Sequence, residues 1–166
     1  MLAKKTLLIS AITLSVLAYS SVPGIAEQGA DEHPEARKVA QSVAESYMTT
    51  YDKHDPKAIS MLFVPDGVFL PPNGAPVAQG RDAIERSWAA LFKNVGGHES
   101  LIIKDAIPIG NDAVVAITEF KIVGDGQNSN KILSGRAAIT LTKTPEGWRY
   151  VSIVPQTQPP PSGATK

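Results

Sequence analysis

The apolar residues of this chain change their spacing once, near residue 98, and this change limits the folds that the chain can adopt. Before it, they recur every three or four residues, as on the buried face of an amphipathic helix. After it, they alternate with polar residues, and Gly, Asn and Pro residues typical of turns separate the runs. Helices followed by consecutive hairpins predict an α+β domain, with the helices packed on one face of an antiparallel sheet.

Three helices are predicted in the first part of the chain. The longest covers residues 34–51, and Pro34 suits its first turn, where the missing N–H costs nothing. Asp55 precedes a proline and is predicted to cap a short second helix that continues to residue 63. The spacing of the apolar residues predicts a third helix over residues 81–93.

One short and four long strands are predicted. The short strand covers residues 68–70, between the second and third helices, and is followed by a loop rich in Pro and Gly. The long strands cover residues 99–109, 113–123, 131–143 and 148–154. One face of these strands is apolar, so the helices must cover it.

The first 26 residues have the pattern of a signal peptide, because two lysines precede an apolar run and small residues follow it. The run is about a dozen residues long, which is short for a bilayer core of ~30 Å, although a retained anchor is the alternative. The protein is therefore expected to be periplasmic or secreted, without membrane contact after cleavage. Residues 27–33 are predicted to be flexible, residues 34–154 to form one domain, and residues 155–166 to form a disordered proline-rich tail.

Charge and composition exclude several classes of function. Without the two lysines of the signal peptide, the chain has a small net negative charge, so no nucleic-acid partner is expected. The chain has no cysteine, which excludes thiol catalysis, iron–sulfur clusters and cysteine zinc sites. His33, His54 and His98 do not have the spacing of metal ligands. No metal and no other cofactor is expected.

Four short features occur in order along the chain: Asp55 at the start of the second helix, Asp66 before the first strand, Gly80 with Ile84 at the start of the third helix, and Gly147-Trp148 at the start of the last strand. With this order of elements, residues 34–154 resemble the SnoaL-like, nuclear transport factor 2-like superfamily. The resemblance implies a cone-shaped, curled sheet that encloses a deep pocket together with the helices. Members include steroid isomerases, polyketide cyclases and dehydratases, so the fold alone does not select a function.

The resemblance also implies which residues form the pocket. Tyr47 falls where steroid isomerases keep a tyrosine that donates a hydrogen bond to the developing enolate, which makes it the candidate catalytic residue. A purely structural role for Tyr47 in the core is the alternative. Leu70 falls where those enzymes keep the proton-transferring carboxylate, so no base is identified. The implied ligand pocket consists of Tyr47, Phe63, Leu70, Trp88, Phe120, Ile139 and Tyr150.

Three functions follow as hypotheses. The leading one is an exported domain that binds a small apolar or aromatic molecule in the pocket. The second is a SnoaL-like isomerase, dehydratase or cyclase that uses Tyr47 as a hydrogen-bond donor, with an unidentified base. The third is an interaction module that dimerises through the exposed face of its sheet, and a homodimer is expected.

Overall fold

The computed structural model describes residues 32–72 and 75–157. The predicted signal peptide and most of the predicted flexible segment lie outside these residues. The elements are α1 (Pro34–Tyr51), α2 (Pro56–Met61), β1 (Phe63–Phe69), β2 (Ala78–Gln79), α3 (Arg81–Asn94), β3 (His98–Ile109), β4 (Ala113–Val123), a 3₁₀ turn (Gly126–Asn128), β5 (Ile132–Thr144) and β6 (Gly147–Thr157). The predicted α+β fold is confirmed.

Local signals place the helix ends close to where the sequence predicts them. Pro34 is the first residue of α1, and the Asp55 carboxylate caps α2 by accepting a hydrogen bond from the backbone N–H of Ala58 at 2.9 Å. Gly80 precedes α3 with a φ of 78°, in the region that favours glycine. The second helix ends earlier than predicted, because Phe63 already belongs to β1.

The described strands form one six-stranded sheet in the order β2-β1-β6-β5-β4-β3. The four long strands pair as antiparallel neighbours, as predicted. However, β1 pairs with β6 in parallel and covers Phe63–Phe69 rather than residues 68–70, and the short β2 was not predicted. The predicted antiparallel arrangement is confirmed for the four long strands, and the pairing of β1 with β6 is a parallel exception. Apolar periodicity identifies a strand but carries no information on the direction of its partner.

Register shifts bend this sheet. The pairing of β3 with β4 shifts between Ile103 and Asp105, and the pairing of β5 with β6 shifts between Thr140 and Leu141. A shift of this kind bends a strand and increases its local twist. The sheet therefore curls without closing, and its concave face turns towards the helices, as the packing of α1 against β3 and β4 shows.

The last strand extends further than predicted. It continues to Thr157, beyond the predicted boundary at residue 154, and this part pairs with β5. The pairing of β1 with β6 reaches only as far as Ile153. Pro155 therefore has a neighbouring strand on one side only, where a missing N–H is tolerated. The rest of the predicted disordered tail, residues 158–166, lies outside the described residues.

The convex face of the sheet is partly apolar and partly charged. Ile102 and Ile117 are exposed there, and Glu119 forms ion pairs with Lys104 at 3.6 Å and Arg136 at 3.7 Å. This is the face through which a homodimer was predicted, and the dimer stays a prediction. None of the helices in the described ranges is long and apolar enough to span a membrane.

Candidate functional site

A cavity opens between the helices and the concave face of the sheet. The empty space in it is about 480 Å³ together with its open mouth, and about 40 Å³ of this can hold the centre of a water-sized molecule. Five of its wall residues have polar side-chain atoms: Tyr47, Trp88, Glu99, Thr118 and Tyr150. The other wall residues are Phe69, Pro72, Leu91, Leu101, Phe120, Ile122, Leu133, Ala137, Ile139, Ile153 and Pro155. Among the described residues, none of those in this wall is a Lys, Arg or His. Of the described wall residues, Glu99 is therefore the one that can carry a charge at neutral pH.

Five of the seven residues predicted to form a pocket lie in this wall: Tyr47, Trp88, Phe120, Ile139 and Tyr150. They come from α1, α3, β4, β5 and β6, which are far apart in the sequence. The hydrophobic pattern predicts only that each side chain is buried. The resemblance to a fold with a central pocket supplied the information that they lie together.

Leu70 and Phe63 do not line the cavity, which corrects two of the predicted positions. Phe69 takes the place predicted for Leu70, and its ring stacks on Trp88 with centroids 4.9 Å apart. Since successive side chains of a strand point to opposite faces, an error of one residue selects the wrong side chain. Phe63 is fully buried in the core, with its ring centroid 5.3 Å from that of Tyr150.

Glu99 is a wall residue that the sequence analysis missed. It is the second residue of β3, it is partly buried, and it lines the cavity. The hydroxyl group of Tyr47 donates a hydrogen bond to Glu99 Oε2 at 2.6 Å. Short bonds of this kind are typical of an ionised acceptor. The two residues form a carboxyl–phenol pair in an otherwise apolar cavity, and we call them the Tyr47–Glu99 pair.

A signal for Glu99 was present in the sequence. The period of two in β3 places Glu99 on the same face as Leu101 and Ile103, which are partly buried against the core. Acidic residues are seldom placed on a buried face without a partner. An acid that continues an apolar strand face is therefore a candidate site residue.

Burial controls the proton affinities in the cavity. Burial raises the pKa of Glu99 from 4.5 to about 7, and the hydrogen bond from Tyr47 opposes this increase. The pKa of Tyr47 is raised well above its usual value, mainly by burial and then by the charge of Glu99, and the pKa of Tyr150 is raised by the same two causes. At neutral pH, Glu99 therefore exists in both protonation states, while the two tyrosines keep their protons.

We expect the pH dependence of stability to report this pKa. The folded carboxyl group binds its proton more tightly than the unfolded one, so the folded state holds more protons between the two pKa values. The free energy of unfolding should therefore fall as the pH rises from 4.5 to about 7. Between about pH 5.5 and 8, Glu99 should contribute a decrease on the order of 1–2 kcal/mol.

Urea unfolding of the protein and of Glu99→Gln across this pH range measures that contribution. Glu99→Gln should lack the decrease, and Glu45→Gln, the same change at an exposed position of α1, should keep it. Parallel curves for the wild type and Glu99→Gln would contradict a raised pKa.

The loop before β3 fixes the position of Glu99. The hydroxyl group of Tyr51 donates to the Gly96 carbonyl oxygen at 3.1 Å, and His54 Nε2 donates to the Gly97 carbonyl oxygen at 2.8 Å. Both glycines have positive φ, at 60° and 76°. Tyr51 at the end of α1 and His54 just after it therefore hold Gly96 and Gly97, which lie directly before β3.

A curled, unclosed sheet that faces helices across a cavity defines the class of nuclear transport factor 2-like proteins, as the sequence predicted. The sequence pattern of the SnoaL-like domain matches residues 40–154, and the chain belongs to this family. The sequence has no match among proteins of curated function.

Several solved structures share the fold. A ketosteroid isomerase-like protein from Erwinia carotovora atroseptica superimposes with a TM-score of 0.65 and 21% identity, over 76% of this chain and 98% of that one. A candidate aromatic ring hydroxylase from Novosphingobium aromaticivorans gives 0.63 and 20%, over 76% and 92%. A candidate dehydratase of the NTF2-like family from Streptomyces avermitilis gives 0.57 and 16%, over 74% and 96%. Identities this low establish the fold, and the function must be argued from the site.

Proposed function

We propose that this protein catalyses proton transfer within a small, neutral, apolar molecule that carries a carbonyl group, with Glu99 as the base. The observation that carries the proposal is the Glu99 carboxyl group in the wall of an apolar cavity, with its pKa raised to about 7. A general base works best when its pKa lies near the working pH, because both of its protonation states are then accessible. Raised pKa values of this kind are concentrated at functional sites.

The proposed step uses groups that the cavity provides. One carboxylate oxygen of Glu99 takes a proton from the carbon next to the carbonyl group, and the electron pair of the broken C–H bond moves to the carbonyl oxygen. The protonated carboxyl group then returns the proton to a carbon of the enolate. Tyr47 is a positioning residue in this scheme, because its hydroxyl group holds Glu99 Oε2 at 2.6 Å.

The charge of the wall selects the class of ligand. An anionic ligand would be repelled by Glu99, and no described residue of the wall is a cation that could compensate the repulsion. Apolar and aromatic side chains form most of the surface, so a compact hydrophobic molecule fits best. This agrees with the small apolar or aromatic ligand predicted from the sequence. Relatives in the fold that are described as isomerase-like or as a dehydratase support chemistry of this type.

Deuterium exchange tests the proposal without knowledge of the natural substrate. The probe is 2-tetralone, a compact aromatic ketone with exchangeable hydrogens next to its carbonyl group. Proton NMR in D₂O should show exchange that increases with protein concentration and rises with pH through a midpoint near 7, where Glu99 loses its proton. A rate equal to that of buffer with an unrelated protein would contradict the proposal.

Binding without catalysis is the second candidate, and the mainly apolar character of the wall favours it. In that case 2-tetralone should shift the NMR resonances of wall residues, while its deuterium exchange should be no faster than in buffer. Export stays part of both proposals as a prediction, because residues 1–26 lie outside the described residues.

A further inference from the structure

One buried donor in the cavity wall has no acceptor. Trp88 is 3% exposed and lines the cavity, and its Nε1 has no hydrogen-bond partner among the described residues. Buried polar groups in folded proteins nearly always have a partner, because a buried donor without one loses the hydrogen bonds that it made to water in the unfolded chain. A bound molecule can supply the acceptor that the described residues do not provide.

The surroundings of Trp88 hold its indole ring in place. Phe69 stacks on it at 4.9 Å with an interplanar angle of 17°, while Tyr47, Tyr51 and Phe92 contact it at 5.8–5.9 Å between ring centroids. The indole cannot turn to seek another partner without breaking these contacts. Its N–H is therefore a donor of fixed direction, which lowers the entropy cost of binding a matching acceptor.

Two other wall donors, Tyr47 and Thr118, are engaged within the protein. The proton of the Tyr47 hydroxyl group is used on Glu99, and Thr118 Oγ1 donates a long bond of 3.4 Å to the Ala137 carbonyl oxygen. This separates the polar wall into one part that handles a proton, the Tyr47–Glu99 pair, and one unpartnered donor at Trp88. Tyr150 is a second possible donor, because its hydroxyl group keeps its proton.

We infer that the indole N–H of Trp88 donates a hydrogen bond to an oxygen atom of the ligand and so determines which apolar molecules this cavity accepts. The inference deepens the proposed function, on which it rests in taking the ligand to be a neutral carbonyl compound. In the proton-transfer step, this donor stabilises the negative charge that develops on the carbonyl oxygen. Trp88 would then carry out the role that the resemblance gave to Tyr47.

A pair of probes with the same carbon skeleton tests this assignment. We would measure the affinity of 2-tetralone and of tetralin, which lacks the carbonyl oxygen, by NMR titration. The ratio of the two dissociation constants is compared between variants, because a substitution that weakens the binding of both probes equally leaves this ratio unchanged. In Trp88→Phe, the preference for 2-tetralone should fall by about tenfold, the value of one buried hydrogen bond, whereas Tyr150→Phe should keep it.

A measurement on the unmodified protein makes the test independent of the folding of Trp88→Phe. The indole N–H resonance of Trp88 should move downfield with 2-tetralone and much less with tetralin. Trp148 is the other tryptophan of the chain and lies outside the cavity wall, so its resonance is the internal control. An unchanged preference in Trp88→Phe, a loss only in Tyr150→Phe, equal responses to both probes, or binding of neither at millimolar concentration would each overturn the inference.

The outcome separates this inference from the proposed function. Repeating both titrations in Glu99→Gln measures the donor without the base, because no proton transfer is needed for binding. If the protein prefers 2-tetralone to tetralin but the wild type does not accelerate deuterium exchange, the role of Trp88 is supported and catalysis is contradicted. If the wild type accelerates deuterium exchange but binds 2-tetralone and tetralin equally well, catalysis is supported and the role of Trp88 is contradicted.

Discussion

Glu99→Gln should reduce the protein-catalysed deuterium exchange of 2-tetralone by about 10²-fold or more, the usual contribution of a general base. Glutamine has nearly the size and shape of glutamate, and its amide oxygen can still accept the hydrogen bond from Tyr47. The substitution therefore removes the proton acceptor and leaves the cavity in place. NMR exchange rates at a pH above 7 measure the effect, because wild-type Glu99 is then mostly ionised.

Two variants control this result. Glu45→Gln makes the same chemical change on the exposed face of α1 and should exchange at the wild-type rate. Tyr47→Phe keeps the base but removes the hydrogen bond that lowers its pKa, so the midpoint of the pH–rate profile should move upwards. If Glu99→Gln exchanges as fast as the wild type, Glu99 is not the base, and the proposed function fails.

Gly97→Ala should destabilise the protein by at least ~3 kcal/mol, because overpacking and a strained backbone angle act together. A Cβ atom at this position would collide with the carbonyl oxygen of Val123 and lie 2.7 Å from the Gly124 Cα. These are backbone atoms, which cannot move aside as a flexible side chain would. The φ of 76° adds a second cost for any residue with a side chain.

The matched control for this variant is Gly110→Ala, in the turn between β3 and β4. Gly110 also has a positive φ, at 60°, but a Cβ atom there meets nothing within 4 Å. Only the backbone cost of about 1–2 kcal/mol should remain. Urea unfolding measures both variants, and equal losses of stability would show that the close approach at Gly97 is not a constraint. Since Gly97 precedes Glu99 by two residues, a folded Gly97→Ala should also exchange 2-tetralone more slowly.

Most of the secondary structure follows from the sequence, because its causes are local. The apolar spacing predicts α1, α3 and the four long strands, and Asp55 marks the start of α2 through a contact with a residue three positions away. The order of these elements was also enough to identify the family. The parallel pairing of β1 and the strand residues after 154 were not predicted. Both depend on which strand a segment lies beside in the fold, and no local sequence pattern encodes this.

The site needed the tertiary structure. In the sequence, Glu99 and Glu119 are both acids in predicted strands, yet Glu119 forms ion pairs on the convex face while Glu99 lies in the cavity wall. The partner of Glu99, Tyr47, is 52 positions away, and the two meet because α1 packs across β3. The type and order of the elements are properties of the sequence itself. The pKa of Glu99 and the unpartnered N–H of Trp88 arise from burial, which exists only once the helices cover the curled sheet.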